Sequence, residues 1–193
     1  MKFYNYMGLL VVVMVFSGCG IRSIPKSKNA VEAGWAEVQN QYKRRSDLIP
    51  NLVETVKGYA RHEKETLQSV IEARAKATQT QVNFDQLTPE ALQKFQAAQS
   101  ALSSALSRLM VVIEKYPDLK ANQNFLSLQD QLEGTENRIG IARRRYIESV
   151  ENFNNQVTVP PESWVNSLFY KYSKMPQFAA ETPQSDTPPA VTF

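Results

Sequence analysis

Few side chains in this sequence could carry out chemistry, because its 193 residues include one His and one Cys. His62 and Glu63 begin the H-E-x-x-H pattern of zinc proteases, but Thr66 stands where the second His ligand is required. Ser-His-Asp triads, haem and iron–sulfur sites, and thiol–disulfide exchange each need several such residues together. We therefore predict no metal, no cofactor and no enzymatic activity.

Two basic clusters have binding potential, Lys43-Arg44-Arg45 and Arg143-Arg144-Arg145. Arginine binds phosphates and other anions, so these clusters could hold an anionic membrane surface or an envelope polymer. Three successive helical positions span about 200° of a helix, so only part of each cluster can face one ligand. Intramolecular ion pairing is the competing interpretation. The basic excess of three (22 minus 19) is too small and too evenly mixed with acids for a nucleic-acid binder.

The first twenty residues form a targeting segment. An apolar run from Met7 to Phe16 leads into Ser17-Gly18-Cys19, and this order resembles a bacterial lipoprotein signal peptide. The resemblance implies cleavage before Cys19 and acyl chains on its sulfur and amino group, which hold a soluble domain at the membrane. We therefore expect a signal peptide at 1–18 and an anchor and linker at 19–28, with the domain in the bacterial envelope facing the periplasm.

The same segment has an alternative interpretation, an uncleaved single-pass helix from Phe3 to Ile21 that is long enough to span a bilayer. Under the positive-inside rule, Arg22, Lys26 and Lys28 would then place the domain in the cytoplasm. The two interpretations predict opposite sides of the membrane.

The elements that must position these residues are helices. Apolar residues recur with alternating steps of four and three from residue 31 to residue 70, the spacing of a coiled-coil-like helix. We predict one long helix from Asn29 to Lys76, bent but not broken at Pro50 because the seam keeps its phase there. Arg45 and Glu63 occupy two seam positions. The apolar seam residues are Val31, Trp35, Val38, Tyr42, Ile49, Leu52, Val56, Tyr59, Leu67 and Val70.

Two further long helices and a short one follow. The second begins at Thr88-Pro89 and ends at Tyr116, the third carries its seam from Phe125 to Val157, and the short fourth spans Glu162 to Tyr172. Short connections make sequential helices antiparallel, so the first and third should run parallel. We predict an all-α antiparallel helical bundle at 29–173, followed by an extended, Pro-rich tail at 174–193.

The stretch WAEVQNQYKRRSDLIPNLVETVKGYARHE at 35–63 resembles the LemA family closely, and its RRSDLIPNLV core is highly specific. The likeness continues through YPDLKANQNFLSLQDQLEGTENRIGIARRRY at 116–146 and a closing P-AVTF, so it covers nearly all of the chain after residue 30. It implies a bacterial, membrane-associated helical bundle and no particular biochemical activity. The residues of the family motif at the bend are Arg44, Arg45, Asp47, Pro50 and Asn51.

Helix lengths predict an interaction surface. The first helix would be about 72 Å long and the second about 42 Å, leaving residues 30–50 without an antiparallel partner. Val31, Trp35, Val38 and Tyr42 would then form a solvent-exposed seam for self-association or for docking another envelope protein. In the alternative, the fourth helix or the tail folds back over this seam.

Charged and polar seam residues also predict a polar layer in the core. Counting along the helices brings Glu63, Gln99 and Arg138 within about a turn of one another. Such a layer adds little stability but fixes helix register.

The sequence thus favours a non-enzymatic, lipid-anchored envelope protein that acts as a helical scaffold or partner-binding module. Its expected partners are the membrane, further copies of itself or other envelope proteins, and no nucleic acid. The alternative function is binding of an anionic surface or polymer through the arginine clusters. Binding of the second kind should weaken steeply with added salt.

Overall fold

A computed structural model describes the backbone of residues 2–178 and the side chains of residues 21–178. This part of the chain contains no strand, which confirms the all-α class and the helical bundle. Its helices are α1 Lys2–Tyr59, α2 Lys64–Gln79, α3 Pro89–Ile113, α4 Pro117–Lys120, α5 Gln123–Thr158 and α6 Glu162–Val165. A 3-10 turn at Phe84–Gln86 precedes α3, and a π-helical turn at Asn166–Tyr170 continues α6.

The chain reverses direction at residues 60–63, inside the predicted first helix. α2 returns along α1, so that Arg74 Nε donates to the Ser46 carbonyl oxygen at 2.8 Å and the Ser46 and Thr78 hydroxyls lie 3.0 Å apart. The prediction of one helix from Asn29 to Lys76 is therefore wrong. As predicted, α1 does continue through Pro50.

The apolar pattern does not reveal this turn, because the predicted seam positions continue through it at spacings of three and four that a helix also shows. Val56, Ala60 and Leu67 are buried, whereas Tyr59, a predicted seam residue, is 45% exposed. The buried positions are thus shifted by one residue at the turn. Gly58 is a local weak point, since glycine lowers helix stability by about 1 kcal/mol. The position of Gly58 and the spacing of the apolar residues are therefore compatible with either a continuous helix or a tight hairpin.

The reversal changes the direction of the later helices relative to α1. α5 runs antiparallel to α1, as shown by hydrogen bonds between Ser27 and Gln156 (2.7 Å), Arg45 and Glu136 (2.7 Å), and Tyr59 and Asn122 (2.9 Å). The prediction that the first and third long helices run parallel is wrong, because it counted one helix where there are two. The bundle is an up-down-up-down arrangement of α1, α2, α3 and α5.

The later helices follow the sequence signals closely. The Thr88 hydroxyl accepts a hydrogen bond from Ala91 N at 3.1 Å, and Pro89 occupies the first helical position of α3. In α5, every predicted seam position is buried: Phe125, Leu128, Leu132, Thr135, Ile139, Ala142, Tyr146, Val150, Phe153 and Val157. α1 and α5 pack closely at Gly34, where a Cβ atom would lie 3.3 Å from the Tyr146 Cα.

Within residues 21–178, buried apolar side chains form two clusters. The turn core lies toward the 60–63 reversal and takes its residues from one stretch of chain, 49–132. The terminal core lies toward the beginning of α1 and combines residues from 24–42, 82–95 and 139–178. The bundle is thus continuous along α1, but its two halves draw on different parts of the sequence.

The predicted exposed seam lies inside the terminal core. Val31, Trp35, Val38 and Tyr42 are all buried, and Trp35 is 1% exposed. The prediction of a solvent-exposed docking arm is wrong, because antiparallel α5 covers this part of α1. The alternative, in which the tail folds back, describes the structure: Phe178 is buried against Trp35, although it was assigned to an extended tail. Residues 179–193 lie outside the described part.

Candidate functional site

Arg45 forms a buried polar centre between α1, α3 and α5, and its side chain is 3% exposed. Its Nη1 donates to Glu136 Oε1 at 2.7 Å and to Ser103 Oγ at 2.9 Å. Its Nη2 donates to Gln99 Oε1 at 2.7 Å and to the Gln99 carbonyl oxygen at 3.3 Å. The guanidinium also lies 5.1 Å from the centre of the Tyr42 ring. This confirms that Arg45 occupies a seam position.

The chemistry of this centre is that of a structural ion pair. A buried charge needs a counter-charge and hydrogen bonds, and the Arg45 terminal nitrogens have both. Glu136 is 50% exposed, so water still solvates part of its carboxylate. Beside the pair is a polar pocket of about 220 Å³, lined among others by Gln96, Ser100 and Arg143. Arg45 joins three helices through its two terminal nitrogens, whereas its buried Nε has no hydrogen-bond partner among the described residues.

The predicted polar layer is right in one residue and wrong in two. Gln99 is buried and belongs to the Arg45 centre. Glu63 instead lies half-buried at the 60–63 turn, where its carboxylate accepts a hydrogen bond from the Tyr116 hydroxyl at 3.1 Å. Arg138 is exposed on α5. Counting along one continuous helix placed Glu63 too deep in the bundle.

Sequence reasoning missed Glu136 as the partner of Arg45. Glu136 directly follows Thr135, a seam residue of α5, and so borders the core without occupying it. A buried arginine requires an acidic partner, so Arg45 at a seam position indicates that an acid lies nearby. Several acids in the sequence could be that partner, and only the antiparallel register of α1 and α5 identifies which one it is.

The family motif places its residues on two faces of α1. Arg45 points into the core, whereas Arg44, Asp47, Pro50 and Asn51 are exposed. Arg44, Asp47 and Asn51 are spaced by three and four residues and therefore share one outer face of the helix. One face of the motif thus serves packing, and the other forms a polar surface.

Each of the two basic clusters likewise has one member that packs against the bundle and two members that are exposed. Arg45 is buried, and Arg143 lies half-buried with its guanidinium 4.7 Å from the centre of the Phe178 ring. The remaining members, Lys43, Arg44, Arg144 and Arg145, are exposed. Each cluster therefore presents two cations to solvent.

A groove opens between α1 and α2 beside the 60–63 reversal, and we call it the turn groove. Its volume is about 780 Å³. Buried Val53 and Leu67 form its floor, and exposed Ile71 adds an apolar wall. Its rim carries three basic residues, Lys57, Arg61 and Lys64, and one acid, Glu54. Nearby His62 is exposed, and Thr66 occupies the position at which the zinc-protease pattern needs a ligand.

Among the tyrosines whose side chains are described, Tyr116 and Tyr146 have pKa values above the ordinary value. Burial raises the pKa of Tyr146, whose hydroxyl donates to the Pro176 carbonyl oxygen at 2.9 Å. The pKa of Tyr116 is raised first by desolvation and then by its hydrogen bond to the Glu63 carboxylate. Both hydroxyls therefore act as hydrogen-bond donors that hold separate segments of chain together.

The targeting segment falls outside the described side chains, and this includes Cys19 and the apolar run from Met7 to Phe16. Within residues 21–178, no helix combines the length and apolar character needed to cross a membrane. Lipidation of Cys19 therefore stays a prediction.

The protein is thus an all-α helical bundle in which buried Arg45 joins α1 to α3 and α5. The model of the LemA family matches residues 34–193, and the chain belongs to this family. Membership supports an envelope-associated bacterial protein.

Curated relatives agree with this assignment. The chain is 23% identical over 173 residues to Protein LemA of Metamycoplasma hominis, covering 88% of this chain and 74% of the relative. It is also 30% identical over 91 residues to Magnetosome proteins MamQ 1 and MamQ 2 of Paramagnetospirillum magneticum, covering 47% of this chain and 33% of each relative. The chain thus aligns with only a third of the length of the two magnetosome proteins.

Proposed function

We propose that this chain is a non-enzymatic, lipid-anchored envelope protein whose helical bundle holds a partner-binding surface away from the membrane. The turn groove carries the proposal, because it combines an apolar floor with a basic rim at one end of the bundle. The anchor at Cys19 lies beyond the opposite end. From Ile21 to Tyr59, α1 rises about 57 Å, so the groove stands well clear of an anchored membrane surface.

The chemistry of the turn groove favours one kind of partner. Val53, Leu67 and Ile71 offer apolar contact along two neighbouring helices, which suits the apolar face of a third helix. Three basic residues and one acid on the rim favour acidic side chains beside that face. The expected partner is therefore an acidic amphipathic segment of another envelope protein or of a second copy of this chain.

Exposed arginines and lysines support the alternative function, binding of an anionic surface or polymer. Lys43 and Arg44 on α1, and Arg144 and Arg145 on α5, are all exposed. Binding through these residues would depend on charge alone and would be screened by salt. Contact through the apolar floor of the turn groove would persist at high salt.

Site-specific photo-crosslinking of the full-length protein in its own membranes tests the proposal. A photoreactive residue at Ile71 should give a protein adduct of discrete mass that persists at high salt. Ile141 on α5 is a matched control, because it is a similarly exposed isoleucine outside the groove, and it should give no such adduct. Equal labelling from both positions would contradict a partner site in the turn groove.

The anchor is tested in the same membranes. Wild-type protein should incorporate labelled fatty acid, and Cys19→Ser should not. Absence of label from wild type, with the protein still in the membrane fraction, would favour the uncleaved helix. The crosslinking experiment has one further outcome. If no discrete adduct forms, and binding instead is sensitive to salt and requires Arg144 and Arg145, the alternative function as a binder of an anionic ligand is favoured.

A further inference from the structure

Three large apolar side chains near the C-terminal end face solvent. Trp164, Leu168 and Phe169 are 64%, 74% and 68% exposed. The segment that carries them packs on the bundle through half-buried Val165 and buried Asn166. We call the three exposed residues the C-terminal patch. Exposed apolar groups of this size, close together on one short segment, usually mark a contact surface.

Hydrogen bonds hold the C-terminal patch in place. Asn166 Nδ2 donates to the Tyr172 carbonyl oxygen at 3.0 Å, and Tyr172 N donates back to Asn166 Oδ1 at 3.0 Å. The Tyr170 hydroxyl donates to the carbonyl oxygen of Ile21 at 2.6 Å. The patch is therefore fixed beside Ile21 of α1, where the described side chains begin.

This position is where the chain meets the predicted anchor. Ile21 lies two residues after Cys19, so acyl chains on that cysteine would place the bilayer surface next to it. The uncleaved helix from Phe3 to Ile21 would end at the same level. Both interpretations of the targeting segment therefore bring the C-terminal patch to the membrane.

The charges around the patch suit an anionic bilayer. Segments 21–28 and 162–174 together contain five basic residues, Arg22, Lys26, Lys28, Lys171 and Lys174, and one acid, Glu162. Basic residues beside aromatic and aliphatic ones are typical of surfaces that lie in the lipid interface. Tryptophan in particular favours the headgroup level, where its ring is buried and its N–H is solvated.

We infer that the C-terminal patch inserts into the interface of an anionic phospholipid bilayer beside the anchor, as a second membrane contact. This inference rests on the proposed membrane anchoring. One flexible attachment leaves a bundle free to tilt, whereas two adjacent attachments fix its orientation. The patch would hold α1 at a defined angle and keep the turn groove pointing away from the surface.

Tryptophan fluorescence tests this contact directly. The chain has two tryptophans, and Trp35 is buried in the terminal core about 21 Å along α1 from Ile21. Full-length protein is reconstituted into phosphatidylethanolamine–phosphatidylglycerol vesicles that carry brominated acyl chains. Bromine should quench wild-type emission by up to half, because one of the two tryptophans reaches the lipid. Emission from Trp164→Phe should be unchanged.

Matched aspartate variants show whether the whole patch is responsible. The double variant L168D/F169D should lose the lipid quenching of Trp164. Val111→Asp should retain it, because Val111 is 69% exposed but lies near the end of α3, at the other end of the bundle. Equal effects of the two changes would contradict a specific contact by the patch.

Vesicle flotation separates the failure of this inference from the failure of the anchor. Protein that floats with the vesicles while Trp164 stays unquenched overturns the inference and leaves the anchor standing. Protein that does not float overturns both. If Trp164 is shielded from aqueous acrylamide but not quenched by brominated lipid, a second copy covers the patch and the bilayer contact is refuted.

Discussion

Trp35→Ala should strongly destabilise the bundle, the opposite of what an exposed docking arm would show. The indole is 1% exposed and has ring neighbours Phe95, Tyr146 and Phe178 at centroid distances of 5.2, 5.5 and 6.2 Å. Removing a buried Trp side chain costs about 3–5 kcal/mol. Its Nε1 also donates to the Val82 carbonyl oxygen at 2.9 Å, but Gln39 Nε2 donates to the same oxygen at 2.7 Å. That oxygen therefore keeps a partner, and the lost hydrogen bond adds at most about 1 kcal/mol.

We expect a loss of about 4 kcal/mol in unfolding free energy, which lowers the Tm by about 10–15 °C for a chain of this size. The assay is thermal and urea unfolding of the full-length protein in mild detergent, followed by circular dichroism. Trp164→Ala is the matched control, because it removes the same side chain from an exposed position and should change stability by less than about 0.5 kcal/mol. Equal effects of the two substitutions, or a Trp35→Ala loss below about 1 kcal/mol, would refute the burial of Trp35.

Two further predictions concern polar groups. Arg45→Met should cost about 1–3 kcal/mol, since it leaves the buried Gln99 amide oxygen without its donor. Glu136→Leu should also destabilise, whereas the double variant should lose less than the sum, and additive losses in urea unfolding would contradict a coupled pair. Burial raises the pKa of Tyr146 in the folded protein. Below a pH of about 10, the Tyr146 hydroxyl keeps its proton in both the folded and the unfolded chain. Above that pH, this hydroxyl ionises first in the unfolded chain. Stability should therefore fall as pH rises above about 10, and Tyr146→Phe should make this fall shallower in alkaline unfolding curves; an unchanged slope would argue against the buried hydroxyl.

Sequence periodicity was most informative where one helix runs uninterrupted. The seam of α5 was predicted completely because its burial repeats with a single period from Phe125 to Val157. Periodicity failed at residues 60–63, since the predicted seam positions continue through the hairpin at helix-like spacings and the shift from Tyr59 to buried Ala60 becomes evident only from tertiary contacts. The burial of Trp35 and the existence of the turn groove both result from that reversal, so neither could be predicted without it.

Contacts between distant segments were beyond the reach of local patterns. Phe178 sits in a stretch whose composition is typical of a tail, and its burial depends on Trp35, Tyr146 and Arg143 lying together on two other helices. Glu136 became the partner of Arg45 only through the register of α1 against α5. In the N-terminal segment, by contrast, the order of the residues themselves predicts the anchor, and chemical labelling of Cys19 is what tests it.

The division into two cores implies an order of folding. All buried residues of the turn core lie between 49 and 132, so this half can assemble before the rest of the chain is in place. The terminal core joins 24–42 to 139–178, and such long-range contacts form late because the intervening chain must first be ordered. Until residues 139–178 pack against α1, the seam around Trp35 remains uncovered. A chain truncated before residue 139 would therefore keep one folded half and expose an aggregation-prone apolar seam beside its own membrane anchor.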